Sequence, residues 1–249
     1  MPKFDVDRAK QAAREKVWSL LEREGAAPPD VHGYIPDFAG AKQAAVRLAE
    51  LEAWQQARVV KANPDRAQQP VRLRALNDGK LLYMAVPRLA TLKPFYVLDP
   101  TTLNLRFEEA ATSIGAARAA PLADPREMRP VDLVLCGSVA VNRRGARVGK
   151  GAGYSDIEVA LLIEAGVVGP ETTIVTTVHN LQIVDEELPE TEHDFSVDLI
   201  VTPVSTITCK PARRPTGIIA NHLETSMAMN IPALNSRSRS TSREGQTSA

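Results

Sequence analysis

The residues with the clearest chemistry in this chain lie together in Arg147–Leu162, RVGKGAGYSDIEVALL. Gly149, Gly151 and Gly153 alternate with Lys150 and Ala152, and Asp156 follows as an apolar helical pattern begins. Glycine admits positive φ and puts no side chain between backbone and ligand. Three at alternate positions let several N–H groups converge. The helix expected from about Ser155–Asp156 would add partial positive charge at its N-terminal end. Arg147 and Lys150 supply mobile cations. Such a loop suits an anion, above all a phosphate, and a carboxylate beside bound phosphates commonly holds Mg2+. The competing reading is a sharp strand-to-helix turn with Asp156 as N-cap. The loop is not a Walker A motif, because no Lys-Ser/Thr follows its last glycine. Nor is it G-x-G-x-x-G, because its glycines are spaced by two. Taken alone, it leaves both readings open.

The elements that must position this loop can be read from periodicity. The continuous apolar run VDLVLCG (Val131–Gly137) precedes it and has the character of a strand covered on both faces. A helix over about Asp156–Ala165 follows it. ARVVKA, KLLYMAV, TTIVTTV and VDLIVTP are further strand candidates, and NPDRAQQP reads as a turn-rich loop. At the front, Ala9, Ala12, Ala13, Val17, Leu20 and Leu21 recur at helical spacing, predicting a helix over Asp5–Gly25. Lys10 and Arg14 lie four apart on one face of it, which by itself reads as a solvated face. A second helix is expected over about Gly40–Ala57. The proline-rich middle, Arg88–Arg129, is expected to be loops with one short helix near Thr112–Ala120. Strands alternating with helices through short connections predict an α/β fold: a three-layer α/β/α sandwich with a mostly parallel, Rossmann-like sheet.

Bulk properties narrow the function. The 249 residues fit one large domain, here expected over 1–235. Lys plus Arg and Asp plus Glu both number 30, so net charge gives no general reason to expect nucleic acid or a membrane surface as partner. No apolar run approaches the roughly 18 residues of a membrane span. The charged start MPKFDVDRAKQAAREK lacks a signal core, so a cytoplasmic location is expected. Cys136 and Cys209 are the only cysteines, which fits a reducing compartment. Four scattered histidines, with no HxxxH or CxxC spacing, argue against structural zinc. The Ser/Arg stretch 236–249 is expected to be a disordered tail, and is the one place where RNA contact is conceivable.

The stretch Val131–Asp156, VDLVLCGSVAVNRRGARVGKGAGYSD, resembles the signature of the 5-formyltetrahydrofolate cyclo-ligase (methenyltetrahydrofolate synthetase) family: apolar strand, small residues, a basic pair, alternating glycines, an aromatic and an Asp. LPETEHDFSVDLIVTP (Leu188–Pro203) resembles a second family segment, and Lys10 with Arg14 matches the K…R pair of its first helix. The resemblance implies an ATP- and Mg2+-dependent ligase of one-carbon metabolism. In that family ATP phosphorylates the formyl oxygen of 5-formyltetrahydrofolate, a neighbouring folate nitrogen attacks, and loss of phosphate leaves the 5,10-methenyl bridge. Catalysis of this kind rests on positioning and charge neutralisation. The resemblance further implies that Lys10, Arg14, Arg147, Gly149, Lys150, Gly151 and Gly153 contact the nucleotide. Asp156 would hold the metal, and Lys150 and Tyr154 would act at the reacting centre. His193 and Asp194 read as a turn that fixes the strand after them.

Three departures from the family pattern bear on the second substrate. Ser155 stands where a second aromatic is usual. GYIPDFAGAKQAA has Asp37 but lacks the Glu that bonds the folate. Val60–Leu89 resembles a divergent branch, the methenyltetrahydrofolate synthetase domain-containing proteins; its basic residues Arg72, Arg74, Lys80 and Arg88 could face an anionic ligand, but the favoured reading is separate solvated positions. The first expectation is therefore an ATP- and Mg2+-dependent enzyme acting on a reduced folate or a related small molecule. The alternative is a catalytically inactive family member that binds nucleotide, folate or, through its tail, RNA. A sugar-phosphate isomerase or CoA-transferase-like enzyme on a related α/β architecture is a distant third.

Overall fold

The computed structural model describes residues 3–210, 213–219, 223 and 225–235. The Ser/Arg tail expected over 236–249 lies outside them. The amphipathic N-terminus forms α1 (Lys3–Arg23). The helix expected over Gly40–Ala57 is two helices, α2 (Ala41–Ala49) and α3 (Glu52–Gln56). The break falls at Leu51, whose extended backbone (φ −79°, ψ 143°) caps the second, and no Gly or Pro announces it. Next come β1 (Val59–Ala62), α4 (Gln69–Asn77) and β2 (Leu81–Ala85). The loop read from NPDRAQQP is shorter than expected, because Pro70 takes a first-turn position of α4, where its missing N–H costs nothing.

The middle of the chain is more ordered than its prolines suggest. It holds β3 (Phe95–Leu98), α5 (Phe107–Ala110), α6 (Ser113–Ala119) and β4 (Leu122–Ala123). The expected short helix is α6, capped by the Thr112 hydroxyl, which accepts from the Gly115 N–H. The chain continues through β5 (Leu133–Cys136), β6 (Ala140–Asn142), β7 (Arg147–Val148), α7 (Tyr154–Glu164), β8 (Thr173–Thr177), β9 (Ile183–Val184), β10 (Leu199–Val201), β11 (Thr206–Thr208) and α8 (Thr225–Asn230).

Eight strands form the main sheet in the order β11-β10-β8-β5-β1-β2-β3-β4. The central pairs β10·β8, β8·β5, β5·β1 and β1·β2 are parallel. Antiparallel strands β11, β3 and β4 finish the edges. The fold is thus the expected α/β architecture with a mostly parallel sheet. Alternation along the buried strands divides the core. Val59, Val134 and Cys136 face α7, in a cluster with Ile157, Val159 and Leu162. Val60, Leu82, Leu133 and Leu135 face the other way, against Leu48, Trp54, Val71 and Leu76 of α2–α4. A third cluster joins Val17, Trp18 and Leu21 of α1 to the small sheet β7-β6-β9 through Ala140, Val148 and Val184. This last contact brings the polar face of α1 to the glycine loop.

Candidate functional site

The chain leaves the central strands in opposite directions at β1 and β5, and an open α/β sheet forms a crevice beyond the carboxyl ends of its strands at such a switch point. A crevice of about 660 Å³ lies there. Asn63, Pro64 and Asp65 follow β1, Gly137 follows β5, and Ala85–Leu89 end β2; all line it. Across from them stand Lys10 and Arg14 of α1, the loop 147–156, and His193 with Asp194. Every site residue expected from the sequence is therefore brought to one crevice.

The loop earns its glycines at two positions. Gly151 has φ +98° and lies against the Arg14 guanidinium, which a Cβ would approach to 3.4 Å. Gly153, at φ +67°, is the N-cap of α7, so Asp156 sits in the first turn and is not the cap. Among the described residues, the N–H groups of Gly149–Ser155 donate to no protein acceptor. They form a row of free donors at a helix N-terminus.

Each cation expected to meet phosphate has an internal partner. The Lys10 Nζ donates to both oxygens of Asp194, at 2.8 and 2.6 Å, although a solvated helix face had been the simple reading of that lysine. Its burial is the correction: 8% of Lys10 is exposed. Arg147 pairs with Asp156 and stacks 3.7 Å over the Phe195 ring. Its Nε is buried with no acceptor among the described residues. Lys150 donates to Asp65 at 2.8 Å. The Arg14 Nε donates to the Gly149 carbonyl at 2.7 Å, tying α1 to the loop. Tyr154 opens α7, lines the crevice and packs partly on the core.

Two carboxylates respond differently to these surroundings. Burial pushes the Asp156 carboxyl up; Arg147 opposes this, and the Asp194 charge adds to it. Burial also works to raise Asp194, but Lys10 and the Thr191 donors together hold it below the usual range. The Thr191 N–H and hydroxyl donate to Asp194 Oδ2 at 2.5 and 2.7 Å. Asp194 is thus both the anchor of a turn, as its sequence suggested, and a carboxylate of the crevice, which the sequence did not reveal. Asp156 and Asp194 feel each other's charge, and among the described residues no group of three or more His, Cys, Asp or Glu side chains gathers as a ready-made metal site.

Other residues of the site were not anticipated. Lys61, wholly buried in β1, pairs with Glu158 of α7 and donates to Asn63 Oδ1 at 2.8 Å. The Asn63 Nδ2 donates to Ser155 Oγ at 3.2 Å, so the residue standing where an aromatic was expected joins a polar network. Arg72 and Lys80 are buried, against the solvated reading. Arg72 donates to the carbonyls of Asn63, Pro64, Asp65 and Ala111, and so fixes the loop after β1. The Lys80 Nζ donates to the Trp54 and Ala57 carbonyls. Arg74 is exposed with Asp78, and Arg88 lines the crevice rim. Asp37 does not line the crevice, whereas Tyr34 and Ile35 do.

A profile of the 5-formyltetrahydrofolate cyclo-ligase family matches residues 6–203. The methenyltetrahydrofolate synthase domain-containing protein of Mus musculus is 40% identical over 232 residues, covering 91% of this chain and 62% of the relative. Its Homo sapiens counterpart is 39% identical over 240 residues, covering 93% and 62%. The chain therefore spans about 62% of the length of these curated relatives. Among solved structures, the NMR structure of Aquifex aeolicus 5,10-methenyltetrahydrofolate synthetase aligns with a TM-score of 0.52 at 20% identity, covering 86% of this chain and 99% of that one. At that identity the likeness speaks for the fold alone.

Proposed function

The chain belongs to the 5-formyltetrahydrofolate cyclo-ligase family, and from that premise we propose that its crevice binds ATP with Mg2+ and closes 5-formyltetrahydrofolate, or a related substrate, to the 5,10-methenyl form by phosphoryl activation. The observation that carries the reading is the row of free N–H donors at Gly149–Ser155, with the orphaned Arg147 Nε beneath it. The Arg147 Nε is a buried donor without an acceptor, which is costly; the loop N–H groups belong to exposed and half-buried residues and are available to a ligand, and phosphate oxygens are acceptors only. The crevice thus suits the polyphosphate. Asp156 and Asp194 would hold the cation, which would offset phosphate charge.

The three internal ion pairs give the site a particular economy. A free anion must pull Lys10, Arg147 or Lys150 from a carboxylate and leave that carboxylate uncompensated. A nucleotide arriving with a divalent cation would ease this conflict for two of the pairs: Lys10 and Arg147 would turn to phosphate, and Asp194 and Asp156 would hold the cation, while half-buried Asp65, the partner of Lys150, stays at the solvent side. Nucleotide and metal binding are therefore strongly coupled. ATP supplies the phosphoryl group that makes the formyl oxygen a leaving group, and Mg2+ offsets the phosphate charge.

The protein's own residues do the rest. Arg14 holds the glycine loop closed over α1 by its bond to Gly149. Lys150, paired with Asp65 in the free protein, would leave it to follow charge developing on the transferred group. Tyr154, which lines the crevice, would border the reacting groups. Incubation of the purified protein with ATP, Mg2+ and 5-formyltetrahydrofolate should give the methenyl absorbance. No product, together with no nucleotide binding by calorimetry, would sink the reading. Nucleotide binding without product would retain the nucleotide half and remove the folate half.

A further inference from the structure

The strangest group in the core is Lys61. A lysine with no exposed surface stands in the centre of β1, flanked by Val60 and Ala62, and meets Glu158 of α7 beneath the crevice. A buried ion pair seldom stabilises a fold more than apolar side chains of the same volume would, because desolvating two charges offsets their attraction. The pair's connections point to a use. Glu158, Asn63 and Ser155 all line the crevice, and Lys61 joins the first two from behind.

A second observation comes from the short turn between β1 and α4. Gln68 is wholly buried, and neither its Oε1 nor its Nε2 has a partner among the described residues. It lies directly behind Gly137, where a Cβ would come to 3.1 Å from Gln68 Oε1 and 3.0 Å from Ile35. Gly137 itself lines the crevice. The floor where the ends of β1 and β5 meet the first turns of α7 therefore holds a carboxylate, a carboxamide and a hydroxyl, backed by a carboxamide with unused donor and acceptor capacity. This is a poor surface for phosphate, because its carboxylate and carbonyl oxygens only accept and its ammonium is already taken by Glu158. It is a good one for a neutral flat ring whose edge alternates N–H donors with a carbonyl acceptor.

We propose that this floor, with Glu158 as its specificity-determining residue and Lys61 as the group that positions Glu158, recognises the lactam-like edge of the second, non-nucleotide substrate. The proposal rests on the reading that the crevice takes a reduced folate beside the nucleotide. It assigns to α7 the ring-binding carboxylate that the Tyr34–Ala45 segment lacks.

The test titrates 5-formyltetrahydrofolate and, separately, ATP with Mg2+ into the full chain by calorimetry. The proteins are the wild type, Glu158→Gln, and the double variant Lys61→Met/Glu158→Leu, whose apolar pair keeps the core filled; melting is followed in parallel. Glu158→Gln should weaken folate binding tenfold to a hundredfold, the scale of one hydrogen bond to a charged group. The double variant should lose folate binding by at least as much, and both should bind nucleotide within threefold of wild type. Folate affinity equal within threefold in all three proteins would overturn the assignment while leaving the folate reading intact. Wild-type protein that binds nucleotide but no folate would overturn both. Parallel loss of folate, nucleotide and thermal stability would overturn the assignment in favour of a purely structural pair.

Discussion

Asp194→Asn separates the two halves of the crevice's electrostatics. In the wild type the Lys10 ammonium is held by both Asp194 oxygens, at 2.8 and 2.6 Å, with both side chains about nine-tenths buried. Opposite charges 4 Å apart attract by about 4 kcal/mol at an effective dielectric of about 20. The net value of a hydrogen bond to a charged group is smaller, about 1.5–3 kcal/mol, once competing water is counted. That smaller figure is what a metal-free nucleotide must overcome to recruit Lys10. Asparagine keeps the shape and an acceptor for the Thr191 N–H but removes the charge. ATP binding in EDTA should therefore tighten, by about tenfold to a hundredfold, while the enhancement brought by Mg2+ shrinks because one carboxylate of the acidic pair is gone. The assay is calorimetric titration of ATP into both proteins, in EDTA and in Mg2+. Unchanged or weaker metal-free binding in the variant, with the Mg2+ enhancement intact, would refute the reasoning. The same variant carries a pH signature. Asp194 is held below the usual carboxylate range in the folded protein, so its stabilisation is present above that range and is lost as pH falls through the folded value. The melting difference between wild type and Asp194→Asn should thus be widest near neutral pH and close below about pH 4.

Two other substitutions probe neighbouring parts. Lys150→Ala should weaken nucleotide binding by about 1–3 kcal/mol and leave the melting temperature nearly unchanged, because its half-exposed pair with Asp65 is worth about 0–1 kcal/mol to the fold; a collapse in melting with unchanged affinity would make the loop structural. Arg72→Met should do the opposite first: with 1% of the residue exposed and the carbonyls of Asn63, Pro64, Asp65 and Ala111 losing their donor, thermal melting should fall by several degrees, at about 3 kcal/mol or more.

What could be read in advance follows from the range of each signal. The parallel strands were legible because β5 is a continuous apolar run, β8 a continuous β-branched run and β1 opens on two valines. The antiparallel strands β3 and β4 were not: they are four and two residues long and lie among prolines. The glycine loop announced itself by spacing, and only Gly151 and Gly153 turn out to need positive φ there. Lys10 was legible as part of a family pattern, but its burial depends on Asp194, 184 residues away. Asp194 showed only its local role, the turn with Thr191, because nothing nearby in sequence betrays a partner across the crevice. Lys61 and Glu158 were invisible for the same reason. A lysine within VVKA and a glutamate within SDIEVALL look ordinary until β1 and α7 are stacked face to face.

The claim that the loop 149–155 holds the nucleotide can be tested by amide hydrogen exchange. Free N–H groups in a surface loop exchange fast, and acceptance of those hydrogens by phosphate slows them. Saturating ATP with Mg2+ should protect Gly149–Ser155 and the first turn of α7, with a smaller effect around Lys10 and Arg14. Exchange in that loop unchanged at saturating nucleotide would contradict the account.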